Sequence, residues 1–322
     1  MSDAGILERF WFVATPGLRL AVLRVLICSF ALLWLIGFSP LLLSGLWFPS
    51  GRFEPVGVVT LLDAPLPPPL GLAIWLITVI AGVAALLGWR FRTVAPVFAL
   101  GLLWVTSYRN SWGMIFHSEN LLVMHALVLA LLPASDAWSL DAARDPQLRA
   151  RGRQRHPRYG WGPRLMATIT VLTYVLAGVA KLRNAGFAWL DGEVLLGHVA
   201  WDNLRKIELG DLHSPLGAAL SAYPAVFVPL AWSSLVLELG APIALFGRWP
   251  ARVWAAGMWA FHVGVLLIMA IGFVYPLTGI AFAPLFAVER PLVALGDRQR
   301  RRRPGSALAG LLPSGDSLHP RG

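Results

Sequence analysis

The sequence predicts an all-α fold: a polytopic integral membrane helix bundle of about eight transmembrane segments, with both termini cytoplasmic. Three observations carry that expectation. The 322 residues are 57% hydrophobic and only 14% charged, where a soluble domain has about 25% charge, and mean hydropathy is +0.65. Apolar runs of membrane length recur along most of the chain. Basic residues gather in alternate loops, as cytoplasmic loops of membrane proteins do.

The apolar runs lie near residues 20–46, 70–89, 94–108, 114–132, 163–182, 225–246, 252–272 and 274–289. The third and the last are short, so they are tilted, broken or re-entrant segments. With the N-terminus inside, the inward loops collect Arg9, Arg19, Arg90, Arg92, the cluster from Arg144 to Arg164, Arg248, Arg252 and the tail from Arg290 to Arg321. The outward segments keep Arg52, Arg109, Arg183, Arg205 and Lys206. Residues 1–19 then form a cytoplasmic N-terminal segment, whose "ILERFWFV" suits a short interfacial helix. Residues 20–290 form the transmembrane domain, and 291–322 a basic tail expected to lack structure.

Composition narrows function as well. A net charge of +10 would suggest nucleic acid in a soluble protein. Here the charge sits in Pro- and Gly-broken loops such as "RDPQLRARGRQRHPRYG", where it sets topology and attracts anionic lipid, so membrane lipids and not nucleic acid are the expected partners. Cys28 is the single cysteine and lies in the first apolar run. The chain contains no phosphate-binding glycine loop, HExxH, CxxC or GxSxG. His125 and His262 lack the repeated histidine pairs that haem between helices would require, and no metal is expected.

Membrane depth then singles out the polar residues. Lys181 closes the fifth run, in "TYVLAGVAKLRNAGFAWLDG", followed by a long external segment from 183 to 224. Thr170, Tyr174, Ala177 and Lys181 share one helical face, with Gly178 beside them. That face either lines a packed interior or lets the lysine snorkel to the interface. His117 lies at the outer end of the fourth run. Glu238 sits near the middle of its run, and His262 at similar depth in the next. Two ionisable groups at that depth need partners: each other, Arg24 of the first run, or a wet cavity.

These residues carry a family resemblance. Tyr174, Ala177, Gly178, Lys181 and Leu182, then Trp189 and Gly192, resemble the segment around the catalytic lysine of vitamin K-dependent gamma-glutamyl carboxylases. They are equally similar to the wider HTTM (horizontally transferred transmembrane) domain family. Ser111, Trp112, His117 and Ser118, ending in "WSLD" (Trp138–Asp141), resemble the carboxylase segment with its functional histidine. "LVLELGAPIALF" resembles an acidic helix of the family, with Glu238 at the acidic position, and "FHVGVLLIMAIGFVYPLTGIAFAPLF" its last helix pair, with His262 in the F-H motif. The four patches keep the family's order.

The resemblance implies Lys181 as the base that deprotonates reduced vitamin K or another quinol, with His117 and His262 as supporting catalytic groups. Tyr174, Glu238, Arg24 and Trp189 would form a supporting polar pocket. Such chemistry asks for a lysine in an apolar setting and a dry pocket open to a lipid-soluble quinol. The chain departs from the carboxylases in three places. Met114–Ile115–Phe116 precede His117 where they have asparagine, Ala180 replaces a second lysine, and a short basic tail replaces a large external domain. Two functions follow as expectations, both in a bacterial plasma membrane. One is a carboxylase-like or peptide-modifying enzyme acting on a small quinone or a secreted peptide. The other is a non-enzymatic membrane maturation or immunity factor for a secreted peptide, in which the same residues only hold the bundle together.

Overall fold

A computed structural model of the chain describes residues 5–302. Its regular elements are helices, apart from the antiparallel pairing of Thr15–Pro16 (β1) with Arg155–His156 (β2). The helices are α1 (Ile6–Trp11), α2 (Gly17–Gly37), α3 (Ser39–Ser44), α4 (Pro68–Leu87), α5 (Phe91–Asn110), α6 (Asn120–Ala130), α7 (Leu140–Arg144) and α8 (Pro146–Arg153). There follow α9 (Trp161–Ala185), α10 (Glu193–Glu208), α11 (Pro215–Leu220), α12 (Phe227–Leu239), α13 (Arg248–Met269), α14 (Val274–Leu277) and α15 (Glu289–Arg302).

Among the described residues, five helical segments are long and apolar enough to cross a membrane: Gly17–Gly37, Pro68–Leu87, Phe91–Asn110, Pro157–Asp191 and Arg248–Met269. Asn120–Ala130 and Pro224–Leu239 are apolar but shorter. Several expected runs therefore change shape. The first stops at Gly37 and continues as α3, because Pro40 can only begin a helix. The third is a full helix, α5. The fourth starts at Asn120, so His117 stands in the irregular segment before α6 and is exposed. The sixth turns into a 3-10 segment, Ala241–Leu245, at Gly240 and Pro242, which puts Glu238 in the last turn of α12 and not mid-helix. The last run is broken into α14 and the 3-10 turn Ile280–Leu285, interrupted by Gly279 and Pro284.

The tail expected to lack structure is helical from 291 to 302, within α15; residues 303–322 lie outside the described residues. Val293 of α15 packs on Leu18, Ala21 and Val22. Arg19 forms a bidentate pair with Glu289 at 2.8 and 2.9 Å.

Contacts divide the chain into two units. One runs to Met166 and resumes at Ala287, the other is Ala167–Phe286. In the first, α4 packs on α5 and on α2, and α5 on α6. Its polar centre is Arg24, only 1% exposed. The guanidinium donates to the carbonyls of Ala134 (2.6 Å) and Trp138 (2.5 Å), with Ala137 at 3.5 Å. Around it the "WSLD" stretch ties loops together. Ser139 caps α7 through Ala142 N–H (2.9 Å), and the Asp141 carboxylate accepts the N–H groups of Arg90 (2.8 Å) and Phe91 (2.9 Å) at the start of α5. A helix start offers unpaired N–H groups to such a carboxylate.

In the second unit, α9 residues Val171 and Tyr174 join Ala241, Ala244, Trp254, Ala255, Met258 and Phe282 in one apolar core. Trp189, Ala231 and Leu235 form another beside it.

Candidate functional site

The site is built on the polar face of α9. Lys181 Nζ donates to both oxygens of Glu238, at 2.5 and 2.7 Å. The lysine side chain is 21% exposed and the glutamate 3%, so the carboxylate is sealed behind the ammonium. The Trp189 ring closes a further side, its centroid 5.2 Å from Nζ, a distance at which a cation is attracted to the ring face.

Each member is positioned by its backbone. Gly178 lies one turn before Lys181, and a Cβ there would fall 2.8 Å from Leu239 and 3.1 Å from Glu238 Cβ. The missing side chain is what lets α9 approach α12 closely enough for the pair to form. Trp189 sits in the 3-10 segment Gly186–Asp191, and its indole N–H donates to Ser234 Oγ (3.2 Å) and Ala231 O (3.3 Å). Gly192 ends that segment at φ +80°, where a Cβ would lie 2.7 Å from backbone atoms of Phe227 and Val228. Gly192→Ala should therefore cost about 2 kcal/mol, from the left-handed backbone and the clash together. It should be read as a lowered unfolding midpoint of the purified protein, with the indole fluorescence of the Trp189 region shifted.

Two turns earlier on α9, Tyr174 Oη lies 2.8 Å from His262 Nε2. Trp254, 5.4 Å away and T-shaped, and Phe282, stacked at 6.2 Å, pack on the tyrosine ring. His262 is 4% exposed and lies 5.2 Å from the Phe273 ring. Its Nδ1 is buried without a hydrogen-bond partner among the described residues. Seven residues of helix separate Tyr174 from Lys181, a rise of roughly 10 Å.

The structure thus brings together Lys181, Glu238 and Trp189, and joins Tyr174 to His262. It corrects the pairing expected for the acidic group: Glu238 takes Lys181, and His262 takes Tyr174. Arg24 is also corrected. It belongs to the first unit, where backbone carbonyls accept from its guanidinium. His117 lies in the first unit too, beside a tightened turn in which Asn110 and Phe116 exchange two hydrogen bonds (2.9 and 3.0 Å). Nearby, Arg109 pairs with Glu119 at 3.3 Å. His125 is buried with Nε2 3.2 Å from Met166 O. Among the described residues no cluster of three or more His, Cys, Asp or Glu has metal-site geometry.

Ser234, which anchors Trp189, escaped the sequence reading. The signal available was its place one turn before Glu238, on the same face of α12.

A family model for the HTTM domain matches residues 13–290. The chain belongs to the HTTM family. The matched range takes in every residue of the Lys181 cluster and the Arg24 knot, so both are features of an HTTM domain and not of an appended segment. With five apolar helices of spanning length among the described residues, this HTTM domain is a helical membrane protein. No functionally curated protein and no solved structure matches the chain.

Proposed function

We propose that this HTTM protein is a proton-transfer enzyme of the membrane, of the quinol-dependent carboxylase-like or peptide-modifying type, with Lys181 as base. The reading rests on the Lys181–Glu238 pair: an amine reachable from the surface, backed by a buried carboxylate that can share its proton. With the proton on Nζ the pair is ammonium and carboxylate. With the proton on Glu238 it is a neutral amine and acid, and Nζ presents a lone pair to a substrate. Base catalysis in this arrangement asks that the proton pass from Nζ to Glu238 as substrate enters. Trp189 and Gly178 hold Nζ in register with that carboxylate.

A quinol is the cofactor this reading proposes, near Tyr174. The vacant hydrogen-bonding capacity of His262 Nδ1, beside the rings of Phe261, Phe273 and Tyr174, suits an aromatic ring carrying hydroxyls. When bound, a quinol would supply reducing electrons and an acidic hydroxyl. His262 would orient it through Nδ1, while Tyr174 fixes the opposite ring nitrogen. The location proposed is a bacterial plasma membrane with both termini cytoplasmic, supported by the alternation of basic loops.

One observation favours the second reading, a non-enzymatic maturation or immunity factor for a secreted peptide: Lys181, Glu238, Tyr174 and His262 are all paired, as a packing lock would be. Purifying the protein, identifying co-purifying quinone and comparing redox turnover of wild type with Lys181→Ala and Lys181→Arg decides between them. The enzyme reading expects co-purified quinone, and turnover that falls at least a hundredfold, on the order expected for loss of general-base catalysis, in both monodisperse variants. Unchanged turnover in Lys181→Ala, or no quinone and no turnover in wild type, would overturn it.

A further inference from the structure

Helix α10 is built the opposite way round from a helix on a soluble surface. Its buried stripe is Val199, Asn203 and Lys206, the last two 3% and 7% exposed. Its open stripe is Trp201 at 66%, Leu204 at 50% and Ile207 at 52%. These two stripes follow helical spacing, so the apolar face is continuous.

The polar stripe has a definite task. The last carbonyls of a helix have no partner within it, and those of α13 are taken by the α10–α11 hairpin. Lys206 Nζ donates to Met269 O at 2.6 Å, Asn203 Nδ2 to Ile268 O at 3.4 Å, and Ser214 Oγ to Leu267 O at 2.5 Å. Lys206 also lies against the carboxylate of Asp202, at 2.7 Å. Asn203 Oδ1 accepts Ser214 N–H at 2.6 Å, locking α10 to the start of α11. The hairpin is thereby fixed to one end of a 22-residue apolar helix of spanning length.

That end of a span lies at the boundary between acyl chains and headgroups, so the hairpin lies there as well. At the same end of α13, Leu267 is 54% exposed on the very turn whose carbonyl Ser214 holds. We propose that α10 is an interfacial helix, lying along the membrane plane with Trp201, Leu204 and Ile207 immersed in the lipid of the leaflet at the C-terminal end of α13. Glu193 and Glu208 are exposed on the same side at the two ends of α10, and a short apolar stripe between polar ends, with a tryptophan at its edge, is how amphipathic helices sit at that depth. The occupant of the face is the bilayer itself. The inference rests on the spanning length of α13 and not on any catalytic role of Lys181, so the two stand or fall separately.

The test uses the full chain in phosphatidylcholine nanodiscs. Wild-type protein is photolabelled with a diazirine reagent that partitions into the acyl phase, and the peptides are mapped. The α10 peptide should be labelled on the Trp201–Leu204–Ile207 stripe as strongly as lipid-facing α4, with Asn203 and Lys206 unlabelled. In parallel, spin labels at Leu204 and Ile207 should collide with oxygen several-fold more than with an aqueous nickel reagent, and a label at Asp211 should show the reverse. An unlabelled stripe, or nickel access at Leu204, would overturn the proposal. Shielding from both reagents would place a second copy or another protein on the face and would overturn it equally.

Discussion

Glu238→Leu should lower the stability of the purified protein by about 3 kcal/mol, the lower end of the range for breaking a buried ion pair. The glutamate itself is nearly inaccessible, and its removal leaves the Lys181 ammonium against leucine and Trp189 with no counter-charge. Partial exposure of Lys181 keeps the loss at that lower end. Combining it with Lys181→Met removes the stranded charge, and the double variant should recover most of the loss. Unfolding midpoints of the four proteins in one detergent measure the cycle. A single variant within about 0.5 kcal/mol of wild type, the range of an ordinary surface substitution, would mean that water and not the carboxylate satisfies the lysine. The stable double variant also separates the two functional readings. A base is lost in it, whereas a packing lock has merely been exchanged for an apolar one.

The second large effect is expected at Arg24. Arg24→Met keeps an unbranched stem but deletes both short bonds to Ala134 and Trp138. Each charge-assisted bond of this kind contributes about 1.5–3 kcal/mol, so the variant should lose about 4 kcal/mol. Arg24→Lys should lose less, yet fall clearly short of wild type, because one ammonium does not reproduce the fork that reaches two carbonyls. Thermal unfolding again reads the difference. Equal stability of the lysine variant and wild type would show that charge alone, and not the geometry of the guanidinium, holds the knot.

Much of the architecture was legible because hydropathy reports depth directly. The runs at 70–89, 163–182 and 252–272 correspond to α4, α9 and α13 within a few residues. Where a run was misread, backbone breakers decided the outcome against apolarity. Pro40 split the first run, Gly240 and Pro242 shortened α12, and Gly279 with Pro284 dismantled the last. Depth says nothing about azimuth, and that is why the partners were misassigned. Glu238, Arg24 and His262 all look alike as polar residues in apolar runs, but only contact geometry shows Arg24 turned to backbone carbonyls and Glu238 to Lys181. The polar face of α9 was readable from the spacing of Tyr174 and Lys181. The resemblance around Trp189 and Gly192 pointed to the right neighbourhood, since a helix–turn–helix stretch carries its own local geometry.

The Arg24 knot joins residues 110 to 114 positions apart in the chain, which sets an order of events at the ribosome. The first span leaves the exit tunnel carrying a cation whose acceptors are still untranslated, and at 5–20 residues per second the wait is roughly 5–20 s. An arginine alone at depth costs about 3 kcal/mol on translocon scales. The first span therefore cannot complete its buried knot until residue 138 has been synthesised.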